Sequence, residues 1–241
     1  MANLTMYMIT HKKVDYIPNH RTPLFVGHGK NENNYIRDNT FDNIASLNPY
    51  FCELTGLYWI WKNDHTSEFV SIEHYRRFFF STPFNPIKYN KMYKKVSKYG
   101  IIATKKYKHS LTNIEYYAKH HYGQDFDVIY NIIKDIYPEY IDDYDFVMNS
   151  RQSSMLNMIC CKKEIFDSYC EWLFSILFKA EQIISYKERD SYQQRVFGFL
   201  SERLLNVWLH HNYNGYKTLG VYLLKDSKLK SSLYTIKDSF M

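Results

Sequence analysis

Residues 68–80 read EFVSIEHYRRFFF. An apolar run through Phe69, Val70 and Ile72 gives way to Glu73, His74, Arg76 and Arg77 before closing on three phenylalanines. A short, nearly continuous apolar run is the pattern of a strand covered on both faces, as in a mostly parallel sheet sandwiched by helices. Ligands of open α/β sheets bind beyond the carboxyl ends of the strands, so the charge that ends this run is expected to face a crevice.

Working outward, residues 4–9 (LTMYMI) predict a first strand, broken by the polar, proline-bearing THKKVDYIPNHRTP. Residues 24–29 (LFVGHG) predict a second, ending in glycines that permit tight turns or close approach of a ligand. A loop rich in Asn and Asp follows. From Asn48, NPYFCELTGLYWIWKN sets Pro at a helix start and spaces Phe51, Leu54, Tyr58 and Trp61 at helical intervals. Strand, helix, strand in this order marks an α/β layer, and GIIAT (100–104) predicts one more strand. The second half predicts a helix pair over 111–140, a strand over SMLNMICC (154–161), a long amphipathic helix over 163–184 and further helix over 191–212, where Gly198 is tolerated or marks a break. Residues 216–241 fit either short extended pieces or an adhering tail. We expect one domain over 1–241.

The chain has 241 residues, is 45% hydrophobic and 18% aromatic, and has only 8 Gly and 6 Pro, which excludes disordered and collagen-like classes. A net charge of +6 favours anionic partners. Its lysines gather in KYNKMYKKVSKYG and ATKKYKH (88–109), which also fits a solvated helical face. Cysteines 52, 160, 161 and 170 form no CxxC pair, so reduced thiols in a cytoplasmic protein are expected. The N-terminal residues lack the basic and apolar regions of a signal peptide, and no run approaches the ~18 apolar residues of a spanning helix.

Three strand ends carry chemistry: THKK after the first, GHGK after the second and EHYRR after the third. Converged, His11, Lys12, His28, Arg76 and Arg77 would offer many donors to a diphosphate, because guanidinium forks match phosphate oxygens. The adjacent pairs His120–His121 and His210–His211 lack the i, i+4 spacing of a helical zinc site. Asp142, Asp143 and Asp145 fit a turn better than a cation site. In SERLL, Ser201 fits a capping box variant and Glu202 a carboxylate base. GxGxxG, Walker and GxSxG motifs are all missing.

THKK, VGHG, DNTFDNIASLNPYFCELTGLYWIWKN and SIEHYRRFF, with HHYGQDFDVI, MLNMICCKKEIFDSYCEWLFSIL and RVFGFLSERLLNVWL further on, resemble the DUF4422 family of bacterial capsular polysaccharide and O-antigen glycosyltransferases over roughly residues 4–210. The resemblance implies an α/β, GT-A-like (Rossmann-type) fold: a nucleotide-sugar-binding half (about 1–110) and a helix-rich acceptor-side half (about 111–241). The implied activity moves a sugar, galactose in furanose or pyranose form, from a UDP-sugar to a lipid-linked glycan, with peripheral contact at the inner face of the membrane. Two departures stand out: Glu73 where a small or apolar residue is common before HYRR, and GHG for the more frequent VGA.

Once that class is granted, Thr10, His11, Lys12, Gly27, Asn43, Glu73, Arg76 and Arg77 are expected on the donor. Asn48, His121, Asp125 and Arg203 are expected on the acceptor, and Glu202, Asp38 and His74 at the chemistry. No DxD stands at the expected strand end, so a divalent ion, Mn or Mg, is left open. An inverting transfer needs a carboxylate base; Asp38, Asp42, Glu53, Asp125 and Glu202 are the candidates, with the resemblance favouring Glu202. Two rival readings are an idle polysaccharide-assembly partner and a basic module for single-stranded nucleic acid. Against the second, the aromatics fall at core spacing (YWIW, YCEWLF) and no nucleic-acid motif is visible.

Overall fold

The computed structural model describes residues 3–31, 33–82, 85–154 and 156–224. The part of the C-terminal stretch from residue 225 lies outside them. Strands are β1 (Leu4–Thr10), β2 (Thr22–Phe25), β3 (Ile36–Arg37), β4 (Phe69–His74), β5 (Arg77–Thr82), β6 (Asn85–Pro86), β7 (Ile101–Thr104), β8 (Tyr107–Lys108), β9 (Gln152–Ser153), β10 (Ile159–Lys162), β11 (Lys217–Leu219) and β12 (Val221–Leu223). Helices are α1 (Asn48–Phe51), α2 (Leu54–Asn63), α3 (Tyr89–Tyr99), α4 (Asn113–His120), α5 (Asp125–Ile136), α6 (Ile141–Asn149), α7 (Lys163–Ile183) and α8 (Val196–Asn212).

The main sheet runs β11-β7-β10-β4-β1-β2-β3, with β5, β6 and β12 extending from β4. β1 is parallel to β4 from Leu4↔Phe69 to Ile9↔His74, and parallel to β2 from Tyr7↔Thr22 to Thr10↔Phe25. This register fixes the site. Three strands in step end together, so the chemistry following each emerges at one edge of the sheet. The pairing continues past the strands, where the Tyr75 amide donates to the Ile9 carbonyl (3.0 Å) and the Val26 amide to the Thr10 carbonyl (2.8 Å).

Both faces of the sheet are covered, which is why its central strands read as unbroken apolar runs. On one face α2, α5, α7 and α8 bury Ile60, Ile133, Leu173, Phe174 and Trp208 against Tyr7, Ile9 and Ile72. On the other, α3 sets Met92 and Val96 against Met6, Phe69 and Ile102. Phe51 stacks on Phe197 at 4.5 Å and Trp61 on Phe174 at 5.8 Å. Of these rings Phe51, Phe174 and Phe197 are fully buried, each worth ~2 kcal/mol of apolar transfer. The second half also contributes β10, β11 and β12 to the main sheet and shares its larger core.

Several expectations need revision. The helix predicted from Asn48 is two helices, broken at Cys52, whose φ of +52° stops α1 before α2 restarts. Gly198 marks no break in α8: a Cβ there would sit 3.4 Å from Cys52 Cβ and Sγ, so its missing side chain lets α8 pass close to that bend. The three phenylalanines form β5, paired with β12. The acidic cluster lies on helix α6, where one carboxylate, that of Asp143, bonds the Nδ1 atoms of both His210 and His211. The strand expected over 154–161 begins only at Ile159.

Candidate active site

The common edge of β1, β2 and β4 opens into a cavity of about 480 Å³. Thr10 at the end of β1, His11 just after it, Val26 after β2 and His74 through Arg77 at the β4–β5 turn form its sheet side. Asn48, Pro49, Cys52 and Glu53, from α1 and the bend after it, close it opposite, and Arg195 enters from the start of α8. Three arginines and two histidines therefore line one concavity.

Local contacts set each group. Thr10 Oγ1 accepts from the Lys12 amide and donates to the Lys12 carbonyl, pinning the turn that presents His11. Tyr75 gathers cations around its ring: Lys12 Nζ lies 5.4 Å and Arg76 Cζ 5.0 Å from its centroid, and His11 meets it edge-on at 5.2 Å. Burial, and then the charges of Lys12, Arg76 and Arg195, lower the His11 pKa. His11 is thus a neutral imidazole at pH 7, a donor or acceptor according to tautomer.

His74 is lowered by burial more than the nearby Glu53 carboxylate raises it, and its ring hydrogen-bonds the Asn157 backbone while Nε2, buried, has no partner. Asn157 Nδ2 donates to Glu53 Oε1 (2.8 Å) and Ser201 Oγ (2.9 Å), leaving its own Oδ1 buried and unpaired. Unpaired polar atoms beside a cavity are what a ligand would satisfy. Glu202 stands next to this wall. Burial raises its pKa to about 8, offset in part by Arg203, Arg77 and Arg195 and reinforced by Glu53. Its carboxylate accepts from Arg203 Nη1 at 3.0 Å and its side chain remains 20% exposed.

Of the residues singled out in the sequence, Thr10, His11, Asn48, His74, Arg76 and Arg77 line the cavity, and Lys12 adjoins it on Tyr75. The others lie elsewhere. Glu73 points away from its strand neighbours Ile72 and His74 and is buried against Arg21. Asp38 is fully buried behind the second strand, its Oδ2 accepting from Thr55 Oγ1 at 2.6 Å. Gly27 supports the wall through a φ of +79° and its packing against Asn48. Asn43 is exposed and bonds the Phe41 carbonyl and Ala45 amide of its own loop, and His28 is exposed and not among the residues that line the cavity.

Asp125 is buried in a two-pronged ion pair with Arg189 (2.6 and 2.8 Å) and also accepts from Tyr117. His121 bonds Gln193 at 3.0 Å and stacks on Phe199 at 4.2 Å. Arg203, 3% exposed, lies under Tyr117 with its Nε unpaired. Sequence reasoning overlooked Arg195, whose Nε reaches Cys52 Sγ at 3.2 Å, although it opens the RVFGFLSERLL block. Glu53, one of five candidate bases there, is the one that lines the cavity. Among the described residues no group of three His, Cys, Asp or Glu side chains is placed to hold a metal ion, and no helix is long and apolar enough to cross a membrane.

A family model described as a domain of unknown function, DUF4422, matches residues 5–213. The apo structure of WbbM, a bifunctional glycosyltransferase, matches with a TM-score of 0.82 at 28% identity, covering 98% of this chain and 48% of that one. This chain thus spans about half the length of that neighbour. No curated protein matches it in sequence. The mixed α/β fold is that of a glycosyltransferase structure, as the sequence resemblance implied. With the family model covering most of its length, the chain belongs to the DUF4422 family.

Proposed function

We propose that this protein is a glycosyltransferase that takes a sugar, galactose in furanose or pyranose form, from a UDP-sugar and passes it to a lipid-linked or oligosaccharide acceptor in capsule, O-antigen or lipopolysaccharide synthesis. The observation that carries the reading is the set of Arg76, Arg77 and Arg195 around one cavity at the carboxyl edge of parallel strands. Transfer builds negative charge on the departing diphosphate, and cations fixed in advance beside it lower that barrier. Donors in a fixed fork favour a bidentate grip on phosphate. His74 lines the cavity, and its unpaired Nε2 is suited to a sugar hydroxyl.

In an inverting transfer Glu202 takes the acceptor proton, since a carboxylate with a pKa of about 8 is a far better base than an ordinary one. Glu53, fixed by Asn157, shares the anionic side of the site and keeps the Glu202 proton affinity high. Glu53 is the carboxylate in the cavity lining, and in this reading the arginines carry the diphosphate charge, with or without a divalent ion. Assays with Mn, with Mg and with chelator measure what a divalent ion adds. A cytoplasmic setting with peripheral membrane contact completes the proposal.

The test is release of UDP from a panel of UDP-sugars with a lipid-linked acceptor. Turnover that disappears in R77A and R195A supports the reading. A folded protein that neither binds UDP nor turns over any donor would leave the idle-partner reading in its place.

A further inference from the structure

Charge along the chain is segregated. Between Glu73 and Glu115 stand ten Lys and Arg and no Asp or Glu; with +6 overall, the remainder nets −4. Half of that charge belongs to α3 and its N-cap, as Lys88, Lys91, Lys94, Lys95 and Lys98. Met92 and Val96 turn inward and are 0% exposed, so Lys91, Lys94 and Lys98, spaced 3 and 4 apart, share the outer side, with Lys88 and Lys95 along its flank. Lys95 is half-buried and the other four lysines are exposed, and none forms an ion pair among the described residues.

An ordinary solvated helix face interleaves acids with its lysines, because like charges three and four apart repel. This one has none. A uniformly basic stripe is self-repelling in water and is relieved by an anionic counter-surface. At the end of the helix Tyr99, 44% exposed, lies between Lys98 (5.2 Å) and Lys217 (5.7 Å), an aromatic ring suited to a headgroup layer. At its start a cavity of about 830 Å³ is bordered by His20, Lys88, Tyr89 and Lys91, and its lining includes no carboxylate.

We propose that the outer face of α3 docks on an anionic lipid bilayer. The residue types favour lipid over nucleic acid: all five cations on the helix are Lys, flexible point charges suited to a diffuse layer rather than Arg forks that read individual phosphates. Tyr89 and Tyr93, two of the three rings of the helix, stack on each other half-buried, which leaves Tyr99 as its one exposed ring, fewer than the row of platforms that successive bases need. The inference gives the membrane contact proposed above a surface. Its assay reads binding without turnover, so either can fail while the other stands.

The test is co-sedimentation of the full chain with phosphatidylcholine vesicles, with and without phosphatidylglycerol. Binding should require phosphatidylglycerol and weaken as salt is raised. K91E/K94E/K98E should weaken it about tenfold or more. K119E/K134E/K179E, the same charge change at exposed positions on α4, α5 and α7, should stay within about twofold of the parent, since only charge near the bilayer is felt. Circular dichroism confirms that both variants fold. Equal loss in the two variants, indifference to phosphatidylglycerol, or vesicle binding weaker than binding to a single-stranded oligonucleotide would each overturn the proposal.

Discussion

The guanidinium of Arg21 grips the Glu73 carboxylate through two bonds, Nε to Oε2 at 2.7 Å and Nη2 to Oε1 at 3.2 Å, with side chains 1% and 0% exposed. The Phe79 amide adds a third at 2.9 Å, so one carboxylate ties the chain before β2 to both arms of the β4–β5 hairpin. Removing one member strands a buried charge. E73A should cost about 3–5 kcal/mol in urea unfolding, and the folded fraction should bind UDP as the parent does. A loss of UDP affinity at unchanged stability would return Glu73 to the donor site.

Glu202 sets the expected pH profile. As a base it acts ionised, so kcat should rise with pH and level off above about 8. E202Q should lower kcat about 100-fold or more and remove that limb, and a parent-like rate would exclude Glu202 as base.

The same group carries a stability signature. Its folded pKa lies above the ordinary carboxylate value, so the folded state is favoured while Glu202 is protonated and loses stability as pH rises toward about 8. E202Q should therefore be more stable than the parent at alkaline pH, by up to ~5 kcal/mol, and similar to it near pH 4. Thermal melts at the two pH values read the difference.

Arg77 and Arg195 flank the cavity from different elements, the β4–β5 turn and the start of α8. Each should contribute about 1.5–3 kcal/mol to UDP binding as a charge-assisted donor. Titration calorimetry with R77A and R195A should show affinity losses on the order of 10- to 100-fold. R195K should recover only part, because it keeps the charge but not the fork.

Asp125 and Arg189 form a second closed ion pair, 1% and 7% exposed at their side chains. D125A should destabilise the fold by about 3 kcal/mol and leave the acceptor KM of the surviving enzyme unchanged. A selective rise in that KM would instead make Asp125 an acceptor ligand.

Gly27 holds a φ of +79°, and a Cβ there would lie 2.4 Å from Asn48 Oδ1. G27A should cost at least about 1–2 kcal/mol from the left-handed backbone alone. It should also displace Asn48 from Cys52 and Thr55, which it now bonds. The readout is a fall in both stability and UDP affinity, unlike the stability-only effect of E73A.

The layered α/β order and the three chemically loaded strand ends are legible in the residues alone, because apolar runs and helical spacing are local patterns. Those patterns do not decide which charges face the cavity. Glu73 and His74 are adjacent, yet the period of two in a strand sends them to opposite faces, and only the position of Arg21, 52 residues earlier, shows that Glu73 is neutralised. Arg195 and Glu53 are 142 positions apart in the chain and share a wall because α8 crosses the bend at Cys52, a meeting that packing creates and no local pattern encodes.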